Sequence, residues 1–196
     1  MRLNSTHEIA ELLLSNIEPR IRIVTNSDDY NRVIQFRHPH MKRCFPDISR
    51  PNHDPFDDNA LVLFSENGNG QVSSTARLVF DGGDGLPDES VLSAHLHPSR
   101  EKGERLVELG RFINQDQEVS LVKSYYRAFY FLSKTLKVDQ IVMVMRQRNI
   151  NFHVKKIGAQ LLCFDTGVTF GSEYRFAVVS WSLANTKARF LKWLGE

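Results

Sequence analysis

The chain has 196 residues, of which 41% are hydrophobic and 24% charged, a composition typical of globular proteins and unlike that of disordered chains. The balance of 25 Lys and Arg against 23 Asp and Glu gives a formal charge of +2. A charge so close to zero excludes a dedicated nucleic-acid binder and leaves only local basic patches. The length predicts a single domain over residues 1–196.

The cysteines and the apolar runs indicate the compartment. Cys44 and Cys163 lack CxxC spacing, so we expect thiols in a reducing compartment, with one long-range disulfide as the alternative. The longest early apolar run, residues 12–14, is too short for a signal peptide or a membrane span. These features predict a soluble cytoplasmic protein without stable membrane insertion.

The first half of the chain alternates helical and extended patterns. Apolar residues at helical spacing predict a helix over 7–16, and a β-branched run predicts a strand over 21–25. A second helix is predicted to be capped at Ser27-Asp28-Asp29. Strands over 61–64 and 71–80 are predicted to form a hairpin around Gly68-Asn69-Gly70. Proline, asparagine and glycine predict loops at 50–55 and 81–87.

The second half contains the strongest helical stripe. The predicted elements are a strand over 105–114, a helix over 119–136, a strand over 141–145, a helix over 150–157 ended by Gly158, strands over 160–164 and 174–181, and a helix over 184–194. Because helices separate the central strands and hairpins lie at both ends, the order predicts a mixed, twisted α/β sheet flanked by helices.

Several common catalytic devices are absent from the sequence. It contains no GxxxxGK[ST] phosphate loop, no GxGxxG fingerprint and no GxSxG elbow. The pairs His38/His40 and His95/His97 lack the i, i+4 spacing or the cysteine partners of zinc ligands, so we expect exposed loop histidines and no metal site. No tightly bound cofactor is predicted.

Two acid–arginine constellations remain. Asp54 and Asp57 precede the strand at 61–64, where they are either turn formers or a polar cluster that orients an arginine or a cationic substrate group. Glu108 and Arg111 lie within an apolar strand, where charges need a partner or a cleft. They form either a structural ion pair or, if the chain bulges at Gly110, two functional groups on one face of the strand.

The order of these residues resembles that of the acyl-homoserine lactone synthases. Over about residues 30–112 it runs Arg32…Phe36, Asp54-x-x-Asp57, Arg77-Leu78 and Glu108-x-x-Arg111-Phe112. Those synthases carry a tryptophan soon after the Arg/Phe pair, in the segment that closes over S-adenosylmethionine, whereas the present stretch reads Met41-Lys42-Arg43-Cys44-Phe45. In this respect the chain is more similar to the related N-acyl amino acid synthases.

The resemblance implies a GNAT-like acyltransferase fold and a reaction. Fatty acyl groups would move from acyl carrier protein to the amine of an amino acid, with tyrosine favoured. The resemblance assigns substrate binding to Arg32, Phe36, Asp54, Asp57 and Arg77, and catalysis to Glu108 and Arg111. We expect Glu108 to accept the proton of the amine, directly or through a water, and Arg77 or Arg111 to bind the carboxylate of the acceptor.

The turn at residues 114–118 indicates the donor. GNAT acetyltransferases bind the CoA pyrophosphate with an [RQ]xxGx[GA] loop, whereas this turn reads Asn-Gln-Asp-Gln-Glu, with two acids and no glycine. We therefore expect the acyl-phosphopantetheine of acyl carrier protein as co-substrate. Docking of the acidic carrier is assigned to the basic residues Arg146, Arg148, Lys155 and Lys156, which are equally consistent with a solvated helix face.

The acyl chain needs an apolar slot, and strands near the predicted site offer one. Candidate lining residues are Val142, Val144, Leu161 and Phe164, each of which also suits the core. Two rival functions stay open, namely a lactone synthase that uses S-adenosylmethionine and a non-catalytic module that binds carrier protein or lipid.

Overall fold

The computed structural model describes residues 3–45, 53–115 and 117–196. Its α-helices are α1 Leu3–Ile17, α2 Ser27–Cys44, α3 Glu89–Glu101, α4 Val119–Thr135 and α5 Ala188–Leu194. Its strands are β1 Arg22–Ile23, β2 Ala60–Glu66, β3 Val72–Phe80, β4 Leu106–Asn114, β5 Gln140–Arg146, β6 Gln160–Cys163 and β7 Phe176–Ser182. Short 3₁₀-helices cover Pro55–Asn59, Gln147–Asn149 and Leu183–Asn185, and a π-helix covers Phe152–Ile157.

The strands form one seven-stranded sheet in the order β1-β2-β3-β4-β5-β7-β6. The pairs β1–β2, β2–β3, β5–β7 and β6–β7 are antiparallel, and β4 pairs in parallel with β5. A parallel pair needs a crossover connection, which α4 supplies between these two strands. The mixed α/β sheet flanked by helices is therefore confirmed.

The chain divides into two compact units. The first comprises Met1–Val79 and Gly110–Leu132, and the second comprises Phe80–Leu109 and Ser133–Glu196. A division by contacts does not itself define domains, so the prediction of one domain stays a prediction.

The first unit is built on β2 and β3. Residues Ala60–Ser65 and Ser73–Val79 are buried throughout, as expected for strands covered on both faces. The α4 stripe packs Tyr125, Tyr126 and Phe129 around Phe112, with ring centroids 5.0–6.2 Å from that ring. Such tilted and edge-on contacts are the preferred aromatic geometries.

The second unit is built on β5 and β7, which pair over their whole lengths from Gln140↔Ser182 to Arg146↔Phe176. The π-helix contacts β7 and α5. Trp181 on β7 is fully buried and lies 5.8 Å from the ring of Phe190 on α5. These aromatic side chains fix the C-terminal helix within the unit.

The structure corrects several local predictions. The first strand is only two residues long, and the cap of α2 is Asn26, whose side chain accepts from the backbone N–H of Asp29, instead of residues 27–29. The helix α3 was not predicted, because it contains Pro98 and buries only Leu92 and Leu96. The segment predicted as a helix over 150–157 is largely a π-helix.

The prediction that the two histidine pairs lie in loops is wrong. His38 and His40 lie on α2, and His95 and His97 lie on α3. Of the predicted loop at 50–55, residues 50–52 lie outside the described residues. Cys44 and Cys163 are not joined in a disulfide, and among the described residues no helix is long and apolar enough to cross a membrane.

Candidate active site

A short 3₁₀-helix presents the first acidic pair. Asp54 caps Pro55–Asn59, its side chain accepting from the N–H of Phe56 at 3.3 Å, and Pro55 follows at the first position. In a 3₁₀-helix, residues three apart lie on the same face. Asp54 and Asp57 therefore point to one side, immediately before β2.

Asp57 is buried between two arginines. Its carboxylate accepts from Nη1 of Arg37 at 2.9 Å and from Nη1 of Arg77 at 2.9 Å. The hydroxyl of Tyr30 donates to the same carboxylate at 3.1 Å. The three charged side chains are only 1–5% exposed, so each ion needs the others as partners.

Asp54 continues this network toward solvent. Its Oδ2 accepts from Nη1 of Arg77 at 2.7 Å and from Nη2 of Arg111 at 3.3 Å. Its backbone N–H donates to the hydroxyl of Tyr30 at 3.0 Å. We call these six residues, which all belong to the first unit, the acid–arginine cluster: Tyr30, Arg37, Asp54, Asp57, Arg77 and Arg111.

The cluster shifts the pKa of several of its members. Burial disfavours the charge of Asp54, but Arg77 and Arg111 outweigh burial and hold the pKa of this carboxyl below its usual value. Burial raises the pKa of Tyr30 to about 12, so its hydroxyl stays protonated. Burial lowers the pKa of Arg37, against the pull of Asp57.

The cluster carries one more positive than negative charge. It contains three guanidinium groups and two carboxylates, and Nε of Arg77 is buried without a hydrogen-bond partner among the described residues. Arg111 is the most exposed of the three arginines at 31%, and its ion pair is with Asp54 alone among the described residues. An anionic group is therefore the substrate feature that the cluster suits best.

The strand β4 is irregular at Arg111. This residue has φ of +52°, a left-handed conformation that costs a non-glycine residue about 1 to 3 kcal/mol. The irregularity falls on Arg111 and not on Gly110, whose φ is not positive. The expected bulge at Gly110 stays a prediction, and the positive φ belongs to the residue that follows it.

Glu108 lies in the second unit. Its side chain is 3% exposed, and its Oε2 accepts from the backbone N–H of Asp88 at 3.1 Å. Asp88 is the N-cap residue of α3, and the positive end of a helix stabilises a carboxylate. Glu108 also occupies the last residue pair of the β4–β5 ladder, opposite Val142.

The structure places Arg32 and Phe36 outside the cluster. Arg32 donates to Asp29 at 2.9 Å, to Glu66 and to the carbonyl of Gly70. The ring of Phe36 lies 4.7 Å from that of His40. The arginine of α2 that reaches Asp57 is Arg37.

Sequence reasoning missed Arg37 and Tyr30. Arg37 lies on the buried stripe of α2 together with Asp29 and Val33, and the half-buried Tyr30 follows Asp29 in the sequence. A charged residue in the middle of an apolar helical stripe needs a buried partner. That pattern was the available signal.

The predicted acyl-slot residues differ in burial. Val142 is fully buried and Val144 half-buried, whereas Leu161 and Phe164 are 38% and 62% exposed. All four lie in the second unit, and their assignment to a slot stays a prediction.

The predicted docking residues fall into two groups. Arg146 lies over the ring of Tyr174 at 3.6 Å, and Lys156 over that of Trp193 at 3.9 Å. Arg148 and Lys155 are exposed.

The acidic turn before α4 is bound to Arg20, which lies between α1 and β1. Glu118 forms an ion pair with Arg20 at 2.8 Å and accepts from the hydroxyl of Ser120. Its pKa is lowered, mainly by the hydrogen bond from Arg20. Asp116, the other acid of this turn, lies outside the described residues.

Comparison with known proteins gives a family match. The family model described as "N-acyl amino acid synthase FeeM" matches residues 39–164 of this chain. None of the curated protein sequences compared with the chain matches it.

Solved structures share the fold. FeeM, an N-acyl amino acid synthase from uncultured soil microbes, superposes with a TM-score of 0.70 at 15% identity over 84% of this chain and 89% of its own. The CoA-dependent acyl-homoserine lactone synthase BjaI gives 0.61 at 15% identity over 85% and 80%. An N-acetyltransferase from Staphylococcus aureus Mu50 gives 0.59 at 10% identity over 84% and 97%. These likenesses confirm the predicted GNAT-like acyltransferase fold.

Proposed function

The chain belongs to the family of N-acyl amino acid synthases, and from this premise we propose that it transfers a long-chain fatty acyl group from acyl carrier protein to the amine of an amino acid, with tyrosine as the favoured acceptor. The amine nitrogen attacks the thioester carbonyl. The new bond joins nitrogen to carbon, the carbon–sulfur bond breaks, and the proton lost by the amine balances the thiolate that leaves.

The observation that carries the choice of acceptor is the excess positive charge of the acid–arginine cluster. An amino acid brings a carboxylate, and a planar guanidinium binds a carboxylate through two parallel hydrogen bonds. Arg77 is buried and engaged by both aspartates, whereas Arg111 is 31% exposed and held by Asp54 alone among the described residues. We therefore assign the acceptor carboxylate to Arg111, with Arg77 and Asp54 as positioning residues.

Glu108 is proposed as the proton acceptor. A free amino acid arrives mainly as an ammonium ion, which cannot attack until it loses a proton, and general base catalysis contributes about 10² to 10⁴ in rate. Glu108 is a buried carboxylate on β4, the strand that also carries Arg111. Its bond from the N–H of Asp88 fixes its orientation.

The proposed donor is a carrier-bound thioester instead of CoA. The segment before α4 offers no glycine, and it places Glu118 immediately before the helix. A carboxylate at that position interacts favourably with the helix dipole, and its ion pair with Arg20 occupies the helix end at which a pyrophosphate would bind. A phosphopantetheine arm attached to a carrier protein lacks the pyrophosphate and the adenosine of CoA.

A lactone synthase is the rival function, because the ordered Asp54, Asp57, Arg77, Glu108 and Arg111 also resemble those enzymes. The two reactions differ in their products. Only lactone synthesis from S-adenosylmethionine releases methylthioadenosine, so its formation by the purified protein would favour the rival.

The first test is mass spectrometry of lipid extracts from cells that overproduce the chain. The proposal expects an acylated amino acid that is absent from cells carrying the empty vector, and its mass identifies both acceptor and acyl chain. Purified protein should then form the same product from acyl carrier protein and the free amino acid. Accumulation of an acyl-homoserine lactone instead would overturn the proposal.

The second test concerns the two assigned residues of β4. Glu108→Gln should lower kcat by at least about tenfold with an unchanged melting temperature, whereas Arg111→Lys should mainly raise KM for the amino acid. Glu101→Gln, at a carboxylate that is 66% exposed, is the matched control. Near-parental turnover of Glu108→Gln between about pH 6 and pH 9 would assign Glu108 to a structural role at α3.

A further inference from the structure

Positive charge is concentrated near the C-terminus of the chain. Residues 146–196 contain eight Lys and Arg but only three Asp and Glu, whereas the whole chain has a formal charge of only +2. Asp165 and Glu173 lie between β6 and β7, and Glu196 follows α5. The segments 146–164 and 176–195 contain no acidic residue.

These two acid-free segments meet in the second unit. The Nζ of Lys187 donates to the carbonyls of Val154 and Lys155 at 3.0 and 3.1 Å, which ties the start of α5 to the π-helix. The ring of Phe152 lies 6.4 Å from those of both Phe190 and Trp193. The π-helix and α5 thus form one packed pair of elements.

Some of the cations on the π-helix and before α5 are engaged within the protein and are not available to a binding partner. The ammonium of Lys156 lies over the ring of Trp193, and Lys187 is bonded to two carbonyls. Such cation–π and carbonyl contacts hold the two elements together. Arg146 is likewise stacked on Tyr174.

Four other cations are exposed, and within the described residues none of them forms an ion pair. They are Arg148, Lys155, Arg189 and Lys192, which we call the C-terminal basic face. Two other arginines of the same unit do form ion pairs: Arg100 binds Asp81 and Glu89, and Arg175 binds Asp165. The basic face is therefore a local excess of unneutralised charge.

We infer that the C-terminal basic face, including Arg189 and Lys192 of α5, is the surface that recognises an acidic carrier protein. This inference rests on the proposed function, which requires such a donor. Of the four residues that the sequence assigns to docking, Arg146 and Lys156 lie over aromatic rings, and two residues of α5 add exposed charge to the remaining two. Charge complementarity of this kind acts mainly on the association rate.

The composition of the face favours a protein over the other possible occupants. Neither the π-helix nor α5, both fully described, exposes a large hydrophobic side chain, and a membrane surface is usually bound through apolar anchors in addition to basic charge. A second copy of the chain would bring the same positive charge. An acidic helix of a carrier protein needs no apolar anchor on this face and brings the opposite charge.

The test is charge reversal on α5. The double variant Arg189→Glu/Lys192→Glu is compared with Lys102→Glu, which reverses an exposed charge next to α3. Each protein is assayed with palmitoyl-acyl carrier protein and with palmitoyl-pantetheine, a thioester that lacks the protein. The double variant should raise KM for the carrier-bound donor by at least about tenfold, with its kcat and its turnover of palmitoyl-pantetheine unchanged. The control variant should match the parent with both donors.

Direct binding separates this inference from the proposed function. Fluorescence anisotropy of labelled carrier protein measures association without turnover, so the face can be tested even if the parent forms no N-acyl amino acid. Unchanged carrier affinity in the double variant would overturn the inference. Equal loss with both donors would also overturn it, because the effect of the two residues would then not depend on the carrier protein. Loss of binding to anionic phosphatidylglycerol vesicles with unchanged carrier affinity would assign the face to a membrane.

Discussion

Asp57 is the carboxylate on which the buried part of the acid–arginine cluster depends. It is 2% exposed and contacts Arg37 and Arg77, which are 5% and 1% exposed. Two buried guanidinium groups are tolerated only because a carboxylate between them compensates their desolvation. The contact with Asp57 also holds Arg77 where it reaches Asp54.

Asp57→Asn should therefore lower the free energy of unfolding by about 3 to 5 kcal/mol, since it leaves two buried charges with one partner fewer. Asp58→Asn is the matched control, because Asp58 is the next residue but is 72% exposed, and surface changes usually stay within about 0.5 kcal/mol. Urea unfolding measures both. Similar losses in the two variants would contradict the buried network.

Asp54 gives the cluster a pH dependence. Its pKa lies below the ordinary value of 3.8, because Arg77 and Arg111 outweigh the effect of burial. A lowered pKa means that the folded protein binds the proton less readily than the unfolded chain. The stabilisation is therefore complete above the ordinary pKa and is lost as pH falls through the lower, folded value.

The free energy of unfolding of the parent should exceed that of Asp54→Asn by the largest amount near neutral pH. The difference should shrink as the pH falls below about 4, when the parent carboxylate becomes protonated. Chemical denaturation of both proteins over this range measures it. A difference that stays constant, or that grows in acid, would show that Asp54 does not stabilise the fold through its charge.

The sequence predicted part of this cluster. Asp54, Asp57, Arg77 and Arg111 were singled out because they are spaced as in a known family, and the structure brings them within hydrogen-bonding distance. Arg37 was not, because helical spacing alone does not distinguish a buried arginine from one that reaches solvent with a long side chain. Only the position of Asp57 in three dimensions determines which arginine of α2 pairs with it.

At the scale of elements, long periodic segments were predicted well and short or irregular ones were not. The stripe of α4 and the apolar run of β5 agree with the structure to within a residue or two. The helix α3 contains Pro98, which disfavours a helix interior. The π-helix was expected to be an α-helix, because a local pattern does not reveal the extra residue in each turn.

Gly158 ends the π-helix in a conformation that favours glycine. Its φ is +100°, and a Cβ at this position would lie 3.0 Å from Cγ of Lys187 and 3.2 Å from the carbonyl oxygen of Asn185. Strain and crowding therefore act together at the junction of the π-helix with the segment before α5.

Gly158→Ala should destabilise the protein by at least about 1 to 2 kcal/mol, the ordinary cost of a left-handed conformation for a residue with a Cβ. Gly68→Ala is the control, because a Cβ there meets nothing within 4 Å and the backbone is not left-handed. The shift in the urea midpoint measures both effects. A variant of Gly158 as stable as the control would mean that the turn relaxes freely.

At the scale of the whole molecule, the uneven charge distribution matters more than the net charge. The net charge of +2 argues against a dedicated nucleic-acid binder, but it conceals the concentration of Lys and Arg in residues 146–195. The sequence revealed this local excess as charge runs. It did not reveal which cations stack on aromatic rings and which remain unpaired, because that depends on the packing of α5 against the π-helix.

The proposed donor preference depends on this distribution. Under the proposed function, the C-terminal basic face attracts an acidic carrier protein, whereas the Glu118–Arg20 ion pair occupies the start of α4, where the pyrophosphate of CoA would bind. We therefore expect kcat/KM for acyl carrier protein to exceed that for the matched acyl-CoA by at least about tenfold. Because the attraction is between exposed charges, raising the ionic strength should lower kcat/KM for the carrier-bound donor while leaving that for a neutral acyl-pantetheine unchanged. Steady-state assays with one acyl chain on all three donors measure both effects. Comparable kcat/KM values for acyl-CoA and acyl carrier protein, or equal salt dependence for all donors, would show that the charge distribution does not select the donor.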